Sequence, residues 1–86
     1  MENLEYYEII KDGVIFVREK TTDFFALYSP NMKKWIQPDN ITFMRLTHDF
    51  DYIKISKEDA FQKTDRSALE SLFQEYVSII EKNRTI

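Results

Sequence analysis

Short apolar runs alternate with polar turns over the first part of the chain, a pattern typical of antiparallel β-sheet. Residues 6–10 and 14–18 are rich in β-branched and aromatic side chains and flank the turn sequence Lys11-Asp12-Gly13. Asp-Gly between two such runs is a strong hairpin signal. The sequence therefore predicts a hairpin in which Gly13 adopts positive φ, either in a two-residue or in a three-residue loop.

Four further runs have strand character. Proline and asparagine after residue 28 predict a turn between strands at 24–28 and 34–37, and Pro38 predicts a break before the next run. β-branched and aromatic residues favour a fifth strand over 41–46. A last strand is expected over 52–55, with Ile53 and Ile55 facing inward and Lys54 facing solvent.

The end of the chain has helical periodicity. Ser56 is a candidate N-cap for a helix that is expected to end near residues 63–64. A second helix is predicted downstream, with Thr64, Asp65 or Ser67 as its N-cap. Its apolar residues recur at i, i+3, i+4, i+7, i+8 and i+11 and form one face of an α-helix: Leu69, Leu72, Phe73, Tyr76, Val77 and Ile80.

These elements predict an α+β fold, a curled antiparallel sheet of five to six strands packed against a C-terminal amphipathic helix. A chain of 86 residues without linkers or internal repeats is expected to form a single domain spanning residues 1–86. The composition, with 43% hydrophobic residues, is that of a globular protein rather than a disordered one.

Composition also narrows the chemistry. Cysteine is absent, which excludes a disulfide scaffold, a thiolate zinc site and a cysteine nucleophile. The single glycine is used by the predicted hairpin, so no glycine-rich phosphate loop can form. We expect no cofactor.

Candidate catalytic and metal-binding residues are few. His48 is the one histidine, and with Thr47 and Asp51 it forms a Thr-His-x-x-Asp cluster in a predicted loop. Asp49 and Asp51 could hold a cation, but they lack the ligand spacing of a calcium loop. Short polar residues between strands more often turn the chain. We therefore predict no catalytic residue, no metal site and no enzymatic activity.

Apolar residues on both faces of the third predicted strand are the main functional signal. Phe24, Ala26 and Tyr28 alternate with Phe25 and Leu27, and one helix can cover only one face of a sheet. We therefore expect Phe24, Tyr28 and Trp35 to remain exposed and to bind a partner, unless the sheet curls like a barrel and buries both faces. The favoured function is a non-enzymatic module that binds another protein or itself, including as a homodimer.

The alternative function is that of a nucleic-acid-associated regulator. Lys33, Lys34 and Arg45 lie in or near the least acidic stretch of the chain, close to the stacking ring of Trp35. A net charge of −3 opposes nonspecific attraction to nucleic acid, so this partner is less favoured. Two lysines in a turn are also typical of a solvated hairpin.

The expected location is the cytoplasm. The acidic residues near the N-terminus differ from the basic start of a secretory signal, and no apolar run has the roughly 20 residues of a membrane span. We expect no membrane association.

Overall fold

A computed structural model of the chain describes residues 3–84 and shows an α+β fold. A five-stranded antiparallel sheet has the strand order β4-β3-β2-β1-β5, so that β4 and β5 are its edges. The predicted α+β class and the C-terminal helix are confirmed, and the sheet is open rather than closed. The elements are β1 (Leu4–Ile9), β2 (Ile15–Glu19), β3 (Phe24–Ser29), β4 (Lys34–Ile36), α1 (Asn40–Asp49), β5 (Tyr52–Ile55), α2 (Lys57–Lys63) and α3 (Arg66–Arg84).

Residues 1–2 and 85–86 are not described. The first two residues of the acidic N-terminal segment, on which the expectation of a cytoplasmic location partly rests, therefore lie outside the described residues.

The three turns that connect β1, β2, β3 and β4 each end in a residue with positive φ. The β1–β2 hairpin forms as predicted, but its loop has four residues, because the Ile9 amide donates to the Val14 carbonyl at 2.9 Å. Its last residue, Gly13, has φ 68°. The equivalent residues of the next two turns, Asp23 and Lys33, have φ 59° and 54°. Only the first turn has the glycine that this left-handed conformation favours, so the sequence predicted positive φ in this turn alone.

The main core lies between one face of the sheet, the core face, and helices α2 and α3. Strand alternation places the core-face residues on one side, where Val17 and Phe24 are fully buried. Leu69 of α3 and Ala60 of α2 reach the same core. The buried core-face side chains are Leu4, Tyr6, Ile15, Val17, Phe24, Ala26 and Trp35.

The predicted strand over residues 41–46 is wrong, because the chain forms helix α1 there. Asp39 caps the helix by accepting a hydrogen bond from the Thr42 amide at 2.7 Å. Phe43 stacks on Phe25 with 4.3 Å between ring centroids and meets Phe16 edge-on. Helix α1 therefore covers the second face of the sheet, the α1 face. It also includes residues 47–49, which were expected in a loop.

The two C-terminal helices begin as local signals indicate. Ser56 caps α2 through a hydrogen bond from the Asp59 amide at 3.1 Å. Of the alternative caps for α3, Asp65 accepts from the Ala68 amide at 3.2 Å. The predicted stripe packs on the core through Leu69, Leu72, Phe73 and Tyr76.

Candidate functional site

The three aromatic residues expected to form an exposed binding surface are covered. Phe24 is 0% exposed and Trp35 is 6% exposed, while Tyr28 is partly buried. The Trp35 indole donates to the Asp65 carbonyl at 2.8 Å, and Tyr28 packs edge-on against Trp35. The expectation that these residues stay exposed is wrong. The curled barrel is not found either, because the unpredicted helix α1 covers the second face.

Helix α3 is what buries the middle strands on the core face. Phe73 and Tyr76 contact the Phe24 ring at centroid distances of 5.0 and 5.2 Å. The Tyr76 hydroxyl also donates to the Thr22 carbonyl in the β2–β3 turn at 2.6 Å. Burial raises the pKa of Tyr76, so this phenol keeps its proton and acts as a donor. These contacts fix α3 against the core face of the sheet and cover residues that were expected to bind a partner.

Apolar side chains are exposed instead on the outer side of α1. Ile41 is 66% exposed and Met44 is 57% exposed, and α1 has no buried residue at all. We call Ile41, Met44, Arg45 and His48 the α1 outer stripe; they lie at i, i+3, i+4 and i+7. With Asp49 they line a surface depression of about 250 Å³. The stripe thus begins with two apolar residues, Ile41 and Met44, and continues with the polar residues Arg45 and His48.

The basic residues of the alternative function lie on separate elements. Lys33 and Lys34 are exposed at the β3–β4 turn, where Lys33 has positive φ. Arg45 is exposed on the outer side of α1. The ring that was expected to stack on a base, Trp35, is buried between β4 and α3. The lysines therefore have no exposed indole beside them.

The Thr47, His48 and Asp51 cluster does not form a catalytic arrangement. The Thr47 hydroxyl donates within α1 to the carbonyls of Phe43 and Met44, at 3.2 and 3.0 Å. His48 points outward from the same helix and is exposed. Among residues 3–84, no group of three or more histidine, aspartate or glutamate side chains is placed to hold a metal ion.

A wider groove runs along α2 and α3, with a volume of about 840 Å³. It is lined by residues of both charges, and its arginine is already paired, since Arg66 donates to Glu70 at 2.8 Å and lies over the Phe61 ring. Nearby, the buried Tyr6 hydroxyl has no hydrogen-bond partner within the described part of the chain. Burial raises the pKa of Tyr6. No set of like charges converges on this groove.

Strand β5 is an uncovered edge of the sheet. Ile53 was predicted to face inward, but it is 49% exposed, because α2 packs over β1 and leaves the edge strand open. Tyr52 is 41% exposed on the α1 face, where it packs against Tyr7 and Phe16. Lys54 lies 3.9 Å from Glu5 and is exposed, as predicted.

In comparisons with known proteins, no family model, no curated protein and no solved structure matched this chain. None of the helices in the described part of the chain combines the length and the apolar character needed to cross a bilayer.

Proposed function

We propose that this protein is a non-enzymatic protein-binding module whose contact surface is the α1 outer stripe. The observation that carries the proposal is the exposure of Ile41 and Met44, 66% and 57%, next to each other on one helix. Exposed apolar groups that share one surface and have a polar rim are typical of interaction sites. In this proposal the α1 outer stripe is the binding surface, instead of the aromatic residues Phe24, Tyr28 and Trp35.

The stripe has the chemistry of a small hot spot. Ile41 and Met44 are exposed apolar groups that can fill a pocket on a partner, and the unbranched methionine adapts to irregular surfaces. Arg45, His48 and Asp49 stand beside them and would orient the contact through polar pairs at its rim. Because the inner side of α1 is held by Phe43 on Phe25 and Phe16, the stripe is presented by a folded helix.

A partner is identified by site-specific photo-cross-linking in the source cells. A photoreactive amino acid at Met44 is expected to give a discrete adduct, and the same amino acid at Ile79 serves as the control. Ile79 is 59% exposed but lies on α3. The partner found from Met44 is then purified and titrated with the full chain.

The titration compares two charged variants. Ile41→Glu combined with Met44→Glu is expected to weaken binding by at least about tenfold, because charges enter the apolar contact, while Ile79→Glu changes it by less than about twofold. Circular dichroism should show that both variants stay folded. Equal binding by the two variants, or equal adducts from positions 44 and 79, would remove the α1 outer stripe from the proposal.

A further inference from the structure

The open edge of the sheet has two groups of free backbone donors and acceptors. In the β1–β5 ladder the Ile10 amide donates to the Asp51 carbonyl at 3.0 Å, and the register pairs Glu8 with Ile53. Hydrogen-bonded and non-hydrogen-bonded pairs alternate in an antiparallel ladder. The amide and carbonyl of Ile53 therefore point to β1, whereas those of Tyr52 and Lys54 point away from the sheet.

We propose that β5 pairs with β5 of a second copy of this chain, which joins the two sheets across a two-fold axis at Ile53. In this register Tyr52 lies opposite Lys54 of the second copy. Each such pair makes two backbone hydrogen bonds and the pair occurs twice, so all outward-pointing groups of residues 52 and 54 are used. Moving the strand by two residues in either direction leaves one of the two residues without a strand partner.

The side chains favour the same register. It sets the exposed Ile53 side chains against each other on the core face and the Tyr52 ring against the Lys54 stem of the second copy on the α1 face. A shift that set Lys54 opposite itself would bring two like charges together. Lys54 thus disfavours the register in which it faces itself, whereas the register centred on Ile53 places it opposite Tyr52.

Single cysteine substitutions test the register directly, because the wild-type chain contains no cysteine. Ile53→Cys should form a disulfide-linked dimer under mild oxidation, because facing residues of a non-hydrogen-bonded pair have Cα atoms about 4.5 Å apart, within disulfide range. Ile79→Cys is the control, because Ile79 is at least as exposed as Ile53 but lies on α3. Tyr52→Cys mixed with Lys54→Cys should also cross-link, and should do so faster than either variant alone.

A charged substitution tests the proposal without a covalent bond. Ile53→Glu sets two like charges against each other at the two-fold axis and should weaken the dimer by at least about tenfold in sedimentation. Ile79→Glu, an exposed change on α3, is the control and should leave the dimer unchanged.

Two results would overturn β5 pairing: a monomer at all concentrations, or Ile53→Cys cross-linking no faster than Ile79→Cys. Cross-linking at residue 79 alone would show a different dimer. The proposal does not depend on the α1 outer stripe: the Ile41→Glu and Met44→Glu variant should remain dimeric, so that failure of one proposal leaves the other intact.

Discussion

The two faces of the sheet are covered in different ways. On the core face, α3 has 19 residues and supplies a continuous apolar stripe, and it buries Phe24 and Leu69 completely. On the α1 face, a helix of 10 residues with no buried residue supplies mainly the Phe43 ring. The core face carries most of the buried core, whereas the helix on the second face leaves its own Ile41 and Met44 at the surface. A helix can therefore cover a sheet face without burying all of its own apolar residues.

The polar contacts follow the same division. The α3 side contains the buried carboxylate of Glu19, which accepts hydrogen bonds from the Thr21 and Thr22 amides at 2.9 and 2.8 Å and from the Thr22 hydroxyl. Tyr76 donates to the carbonyl of the same turn. On the other side, the capping bond of Asp39 is exposed. We therefore expect α1 to open locally at a lower free energy than α3.

Truncation of the α3 anchor should have the largest effect on stability. Leu69→Ala removes a side chain that is 0% exposed, in the middle of the main core. The free energy of unfolding should fall by about 3 to 4 kcal/mol, through lost apolar burial and the cavity left behind. Urea unfolding measures it. A loss below about 1 kcal/mol would mean that α3 is not the main support of the sheet.

Truncation of the α1 anchor should have a smaller and more local effect. Phe43→Ala removes a half-buried ring that stacks on Phe25 and meets Phe16 edge-on. We expect a loss of about 2 kcal/mol in unfolding free energy, below that of Leu69→Ala, because part of this ring is already in water. Amide exchange of residues 41–48 should accelerate more than that of α3. Equal acceleration of both helices would show that the two faces unfold as one unit.

Substitution of the buried carboxylate of Glu19 should have the smallest of the three effects on the free energy of unfolding, and this effect should depend on pH. Burial acts to raise the pKa of Glu19, but hydrogen bonds from Thr22 and Thr21 outweigh it and hold the pKa below the ordinary value of 4.5. A lowered folded-state pKa means that the ionised group stabilises the fold above 4.5, and that this contribution disappears as pH falls through the folded-state pKa.

Glu19→Gln should therefore lower the free energy of unfolding by about 1 to 2 kcal/mol near neutral pH, because a charge-assisted set of hydrogen bonds is lost. The difference from the wild-type chain should shrink in urea titrations as the pH is lowered to about 3. Asp23→Asn, an exposed change in the same turn, is the control. A difference that stays constant over this range would show that the carboxylate charge does not stabilise the turn.

Much of the fold could be predicted because its signals are local. Gly13 marked the first hairpin, Ser56 marked the start of α2, and the apolar stripe of α3 was read from its spacing alone. The strand prediction for 41–46 is wrong because Ile41, Thr42 and Phe43 favour strands, whereas two other signals favour a helix. These are the capping residue Asp39 and the inward stripe of Phe43, Leu46, Thr47 and Phe50. That stripe has helical spacing, so a signal for α1 was present.

The candidate surfaces could not be predicted in the same way. Alternation along β3 showed that both faces of the sheet needed a cover, but it did not show which segment would supply it. Phe24, Tyr28 and Trp35 were expected on the uncovered face, but α3 covers that face, and α1 covers the opposite face, which carries Phe25. The exposed groups, Ile41 and Met44, belong to the helix that the strand assignment hid.

The sequence by itself determined the α+β class, the first hairpin and the C-terminal helix, because each depends on residues close together in the chain. Only the tertiary structure decided between the competing strand and helix signals of residues 40–49 and, with that choice, which apolar groups face solvent. Helix and strand propensities differ by less than about 1 kcal/mol per residue in such a short segment. The packing of Phe43 on an otherwise bare sheet face favours the helix in this balance, and it comes from residues distant in sequence.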